Sequence, residues 1–228
     1  TDVRKSLNIT PVKHEVDHNI RYIEELDVSA IVEEGDTYIV SAIYSDENFV
    51  VDINDFIVSS LTQSILSQSG SIDYDTPGTL MPTHNLGSGL SDLIIEATFS
   101  NPYPVSEGNW SYGFVLRKID ADTFYAVVLS SDGYWDHILR SKSTGSEGIL
   151  MTYGSTNVNV SEYETNTMKV ILHGGRGILY VNDLFMGEID ATDILEFGDT
   201  YLIGAYYQDS KLTGKSTQYT MCNVWSLN

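Results

Sequence analysis

The chain has 228 residues, 42% of them hydrophobic and 11% aromatic, with 32 acidic against 12 basic side chains and a formal net charge of −20. That length and apolar content suit one large β domain, or a medium domain with a small companion, and exclude disorder throughout. The charge repels phosphate backbones and anionic membrane surfaces, so it argues against nucleic acid as a partner, because such binding draws its strength from Lys and Arg on phosphates.

No apolar run approaches the ~20 residues of a membrane span, so direct membrane insertion is not expected. The single cysteine, Cys222, has no internal partner, and within the alternating pattern Tyr219–Trp225 it reads as a small buried hydrophobe. Acidity suits a surface-exposed setting, and it leaves Ca²⁺ as an open option. The D-x-[DN]-x-[DN]-G loop is absent, so the cofactor expectation is none.

Taken in order, residues 1–10 form a polar lead-in. Pro11 opens a helical pattern carried by Val12, Val16, Ile20 and Ile23. Val28–Glu33 and Thr37–Tyr44 read as a hairpin around Glu34-Gly35-Asp36. A second amphipathic helix is predicted at about Asn54–Gln68, with Phe56, Ile57, Leu61 and Ile65 on one stripe. Residues 1–70 are thus expected to form a small α-β-β-α segment. Ser69–Gly89, dense in Gly, Ser, Thr and Pro, reads as a linker or as an irregular first edge of the next domain.

Residues 71–228 read as strand after strand. Asp92–Ser100 alternates apolar and polar residues and ends at Asn101-Pro102. Tyr112–Arg117, Thr123–Ser130 and Tyr134–Arg140 form the central meander, with Asp132-Gly133 read as a two-residue hairpin turn. Ile149–Tyr153, Thr167–Leu172, Ile178–Val181, Phe185–Ile189, Tyr201–Tyr207 and Gln218–Trp225 complete the set. Many short strands without intervening helices predict an antiparallel two-sheet sandwich.

Trp110-Ser-Tyr-Gly-Phe-Val-Leu-Arg117, Asp122-Thr-Phe-Tyr125, Ser130-Ser-Asp-Gly133, Met168-Lys-Val-Ile-Leu172 and Leu179-Tyr-Val-Asn182 fall on successive strands. In that order they resemble the concanavalin-like jelly-roll domains of the laminin-G and 3-keto-disaccharide-hydrolase kind, over about residues 71–228. The resemblance implies a mainly β jelly-roll sandwich. It implies a spread of activities, because that superfamily includes glycan-binding modules, adhesion modules, glycosidases and accessory domains of surface proteins.

Two motifs suggest catalysis. His14-Glu-Val-Asp-His18 fits H-E-x-x-H, the zinc-protease spacing, but it stands at the very start with charged neighbours and no third ligand at a family spacing. Its histidines read as exposed residues, and no metal ligand is assigned. Glu188-Ile-Asp190-Ala-Thr-Asp193 approaches the E-x-D-x-x-E strand of retaining glucanases, whose outer carboxylates sit about 5 Å apart, yet it follows a late turn and reads as a strand end. No catalytic residue is therefore assigned.

The candidate binding surface is the sheet of the central strands, with Arg117, Tyr125, Trp135, Asp136 and His137 combining stacking groups and hydrogen-bonding tips. A two-residue turn puts Trp135 and His137 on one face with Val128, and Asp136 with Arg140 on the other. Trp135 accordingly reads more as core than as platform. The expected function is a non-enzymatic recognition module that binds glycan or another protein. The expected setting is extracellular or at the cell surface, with a membrane anchor elsewhere in the protein as an option. A glycoside hydrolase of the same superfamily and a structural ectodomain are the alternatives.

Overall fold

The computed structural model describes residues 38–41, 57–60, 66–74, 83–141, 146–154, 158–205 and 214–227. The chain divides into two compact units, Thr1–Thr62 and Gln63–Asn228. In the first, β1 (Tyr38–Ser41) pairs antiparallel with β2 (Ile57–Ser60). The helix expected from Pro11 and the hairpin strand Val28–Glu33 lie outside the described residues.

The second expected helix is overturned. Ile57–Ser60 is a strand, and Leu66–Asp73 is another, β3. Apolar residues three and four apart fit a helix stripe, but Ile57 and Val58 are β-branched and the two serines after them lose little by leaving a helix. Pairing with Tyr38–Ser41 satisfies the backbone instead.

The second unit holds two six-stranded sheets. Its remaining strands are β4 (Thr83–Leu90), β5 (Leu93–Ser100), β6 (Ser111–Asp120), β7 (Thr123–Ser130), β8 (Tyr134–Ser141) and β9 (Ser146–Gly154), then β10 (Thr165–His173), β11 (Arg176–Val181), β12 (Leu184–Asp190), β13 (Gly198–Ile203) and β14 (Ser216–Ser226). One sheet runs β12-β11-β10-β5-β14-β3 and the other β4-β13-β6-β7-β8-β9. Every pairing within them is antiparallel. This is the two-sheet antiparallel sandwich that the concanavalin-like resemblance implies. β3 and β4, which take in the described ends of the expected linker, form one edge of each sheet, so those ends belong to the sandwich.

The principal core lies between the sheets. Leu93, Ile95, Ala97 and Phe99 of β5, Tyr112, Phe114 and Leu116 of β6, and Met168, Val170 and Leu172 of β10 are buried in one cluster. Alternation along each strand sends these side chains inward. Cys222 sits among them, and burial pushes its thiol up to about 12, so it is the small hydrophobe expected and no nucleophile at neutral pH. A smaller cluster, Val115, Phe124, Ala126, Val128, Ile138 and Ile203, occupies the opposite face of the β13-β6-β7-β8 strands.

The turn at Asp132-Gly133 is corrected by one residue. Leu129 pairs with Trp135 and Val128 with Asp136, so Ser131-Asp132-Gly133 is the loop, with Gly133 at φ 82° and its N–H donating to Ser130 O. A three-residue loop closing on a left-handed glycine is the next most common hairpin connection after the two-residue one. Asp136, not Trp135, consequently shares a face with Val128. Asn182 and Asp183, by contrast, form the two-residue turn expected of them, with φ 51° and 65°.

Candidate functional site

The five residues expected on a binding surface lie inside the molecule. Arg117, Tyr125, Trp135 and His137 have no exposed area, and Asp136 retains 6%. Trp135 belongs to the inter-sheet core and packs where a Cβ on Gly187 of β12 would come within 2.7 Å of its ring. That glycine lets β12 approach the indole closely. His137 lies 5.5 Å from the Tyr125 ring, between centroids. Neither of its ring nitrogens has a hydrogen-bond partner, and burial pulls the imidazole down to about 4, with Asp190 opposing that pull. Asp136 stands on the other face, opposite Val128, as its register requires.

Arg117 is a structural hub. Its φ of 50° and the register shift after Leu116 bring two successive side chains inward. The guanidinium then donates to Ser91 O at 2.9 Å, Ala191 O at 3.2 Å, Ile194 O at 2.7 Å, Gly174 O at 2.5 Å and Asp92 Oδ1 at 3.3 Å. It gathers the β4–β5, β10–β11 and β12–β13 connections at one end of the sandwich. Burial lowers its affinity for its proton, and Asp92 restores part of it. Tyr125 assists by accepting the amides of Asp193 at 2.9 Å and Ile194 at 3.0 Å.

The opposite end is built differently, and it carries the candidate site. Asn101, at the end of β5, donates through Nδ2 to Asn159 O at 2.9 Å and Ser161 O at 2.6 Å, while Oδ1 accepts the Tyr112 hydroxyl at 2.9 Å. Asn166 donates to Tyr112 Oη at 2.7 Å and to Asn159 O at 2.8 Å, and its Oδ1 accepts Asn159 N–H at 2.8 Å and Asn182 Nδ2 at 3.0 Å. Asn101 and Asn166 are fully buried. Together these amides fasten the segment 158–164 across the sandwich end, and the Asn101 and Tyr163 backbones complete the attachment through Asn101 N–H to Glu164 O and Tyr163 N–H to Asn101 O.

What that segment presents is Tyr163. The residue is 72% exposed and its φ is 61°, a left-handed conformation that bulky residues seldom adopt. Such a conformation persists only where the surroundings fix it, and the asparagine network supplies that constraint. The adjacent Glu162 carboxylate raises the pKa of the Tyr163 hydroxyl, and Lys215 and Glu107 act on the same group, the ammonium lowering it and the carboxylate raising it. Lys215 Nζ is 2.9 Å from Glu107 Oε2 and 5.5 Å from the centroid of the Tyr103 ring. Tyr103 is buried, and its hydroxyl donates to Asn109 O at 2.6 Å. Val105 and Val160 lie exposed on the same two loops.

No family model matches the chain, and no curated protein matches it. Among solved structures it is similar to the carbohydrate-binding module CBM66 from Bacillus subtilis, at 13% identity and a TM-score of 0.48 over 73% of this chain and 97% of that one. It is similar to the CBM40 module of the Ruminococcus gnavus IT-sialidase, at 14% identity and 0.45 over 71% and 92%. The galectin LEC-6 of Caenorhabditis elegans gives 10% and 0.44 over 65% and 92%. At such identities and scores the likeness assigns neither family nor ligand, and the sandwich rests on its own strand pairing.

The arrangement at Tyr163 offers an aromatic face to solvent beside an ammonium and several carboxylates, the mix that grips a ring with one apolar face and a hydroxyl rim. The second carboxylate motif has other work. Asp190 ends β12, and its Oδ1 accepts the Thr192 hydroxyl at 2.7 Å and amide at 3.1 Å, which holds it below the usual carboxylate range. The outer pair that the motif would use, Glu188 and Asp193, does not share a strand, because β12 ends at Asp190. Among the described residues no group of three His, Cys, Asp or Glu is gathered to hold a metal ion. The His14–His18 pair lies outside those residues. Sequence reasoning missed Tyr163 because it sits in a polar stretch between strands, and the one signal available was an aromatic among acidic and serine residues, Ser161-Glu-Tyr-Glu164.

Proposed function

We propose that the sandwich unit is a non-enzymatic recognition module that binds glycan through the Tyr163 end. The observation that carries this is Tyr163 itself: an exposed aromatic, held in a costly backbone conformation by fully buried asparagines. A connection with no task has no reason to retain that strain. The neighbouring Lys215, Glu107 and Glu162 supply donors and acceptors for ring hydroxyls. A protein ligand is the second occupant of the proposal. It would use the same ring with Val105 and Val160 as an apolar rim.

The non-enzymatic part is supported by the Glu188–Asp193 run, whose outer members do not share a strand, because β12 ends at Asp190. The extracytoplasmic setting belongs to the proposal as well, supported by the acidity of the chain. The test is calorimetric titration of the whole chain with soluble oligosaccharides, alongside Tyr163→Ala. Binding by the parent that weakens roughly tenfold or more in the variant is expected. Equal affinity in both, or hydrolysis of the sugar during the titration, overturns the reading.

A further inference from the structure

Resting on the reading of Tyr163 as a saccharide platform, we infer that this end of the sandwich takes uncharged glycans and rejects those bearing carboxylate or sulfate groups. The described residues of the loops around Tyr163, namely 101–110, 158–164 and 214–215, contain three carboxylates, Glu107, Glu162 and Glu164, and one ammonium, Lys215. That ammonium is already matched, 2.9 Å from Glu107 Oε2, and its remaining face lies toward Tyr103. Glu162 and Glu164 flank Tyr163 in the chain, both exposed, and the Glu162 charge acts on the Tyr163 hydroxyl.

An anionic sugar stacked on Tyr163 therefore meets carboxylates and, among the described residues of these loops, no cation that is not already matched. The field of a chain with net charge −20 adds to the repulsion. A neutral pyranose meets the same carboxylates as hydroxyl acceptors, where a charged acceptor makes the stronger hydrogen bond. The rejection is an exposed, long-range effect, so added salt weakens it.

The experiment retains the whole chain on immobilised neutral polysaccharides (cellulose, xylan, dextran, N-acetylated chitin) and on anionic ones (polygalacturonate, alginate, heparin), at low and high salt. Retention by a neutral polymer is expected, with anionic polymers held roughly tenfold more weakly at low salt and the gap closing as salt rises. Glu164→Gln and Glu162→Gln are expected to narrow the same gap without added salt. Retention on an anionic polymer that equals or exceeds the neutral ones, and that Tyr163→Ala removes, overturns this inference and leaves the platform standing. If the parent is held by no saccharide, or if Tyr163→Ala is held as well as the parent, the platform itself fails and the inference with it.

Discussion

The two ends of the sandwich are closed by buried polar side chains, one set organised around a charge and the other around neutral amides. At the Arg117 end a single guanidinium spends its donors on the carbonyls of Ser91, Ala191, Ile194 and Gly174 and on Asp92. At the Tyr163 end the load is divided among Asn101, Asn159, Asn166 and Asn182, with the Tyr112 hydroxyl between them. The charged hub concentrates its stabilisation in one residue and brings a buried charge that must stay paired. The amide network spreads it and needs no counter-ion, so the loops above it can carry their own charges. One end is specialised for holding the fold, and the other for holding a surface side chain in place.

The sharpest way to break that contrast is Arg117→Met. It removes all of these donors at once, strands buried carbonyls and leaves Asp92 with only the Gly174 amide and His173. Loss of about 4 kcal/mol is expected in urea denaturation, and Arg117→Lys should recover little of it because an ammonium cannot reproduce the planar fork. If the methionine variant unfolds within about 1 kcal/mol of the parent, the hub is not what closes that end.

The next largest effect is a pH dependence from the core beside that hub. Folded, His137 takes up a proton only near pH 4, whereas an unfolded imidazole does so near 6.5. Between those values the unfolded chain binds more protons, so stability is fully present above about pH 6.5 and falls as pH drops toward 4. The contribution lost is about 3 kcal/mol, and below that range this group adds no further loss. His137→Met, which needs no proton partner, should remove that part of the pH profile while leaving stability at pH 7.5 within about 1.5 kcal/mol. An unchanged acid limb in the variant would assign the loss to other groups.

Asn101→Ala sharpens the comparison at the other end. It takes two donors from the carbonyls of Asn159 and Ser161 and an acceptor from Tyr112, at a cost of about 2 kcal/mol by denaturation. Saccharide affinity should fall with it, because the segment that fixes Tyr163 is loosened, while Arg117→Lys in any folded fraction should leave affinity unchanged. The smallest effect has the opposite sign. Tyr163→Gly relieves the left-handed backbone and should raise stability by up to about 1 kcal/mol while abolishing saccharide binding. Stability and binding that fall together in this variant would mark Tyr163 as a structural residue.

The strands of the second unit were legible because their signal is local. Thr123–Ser130 follows directly from a run of aromatic and β-branched residues between two turns, and its observed bounds are the expected ones. The Asn182-Asp183 turn was legible for the same reason. The hairpin at Ser131–Gly133 was off by one residue, and that single step put Asp136 instead of Trp135 on the face of Val128. Ile57–Ser60 was misread because apolar spacing in a short segment fits both periods, and pairing with a distant strand decides between them. At the expected binding surface, the residues chosen on the central strands are of types suited to sugars. Those types are equally suited to a core, and Arg117, Tyr125, Trp135 and His137 are in one.

By itself the sequence determined the order of strands from β5 onward, most of the turns that separate them and the acidity of the chain, since these depend on neighbours along the chain and on composition. Only the tertiary structure decided which aromatics face water and which polar groups are buried. Tyr125 and Tyr163 are the same residue type in this one chain, and what separates them is that a second sheet and its loops cover the first, while asparagines from three strand ends lift the second clear. Burial is a property of what packs on a residue from elsewhere in the chain, and no local pattern encodes it.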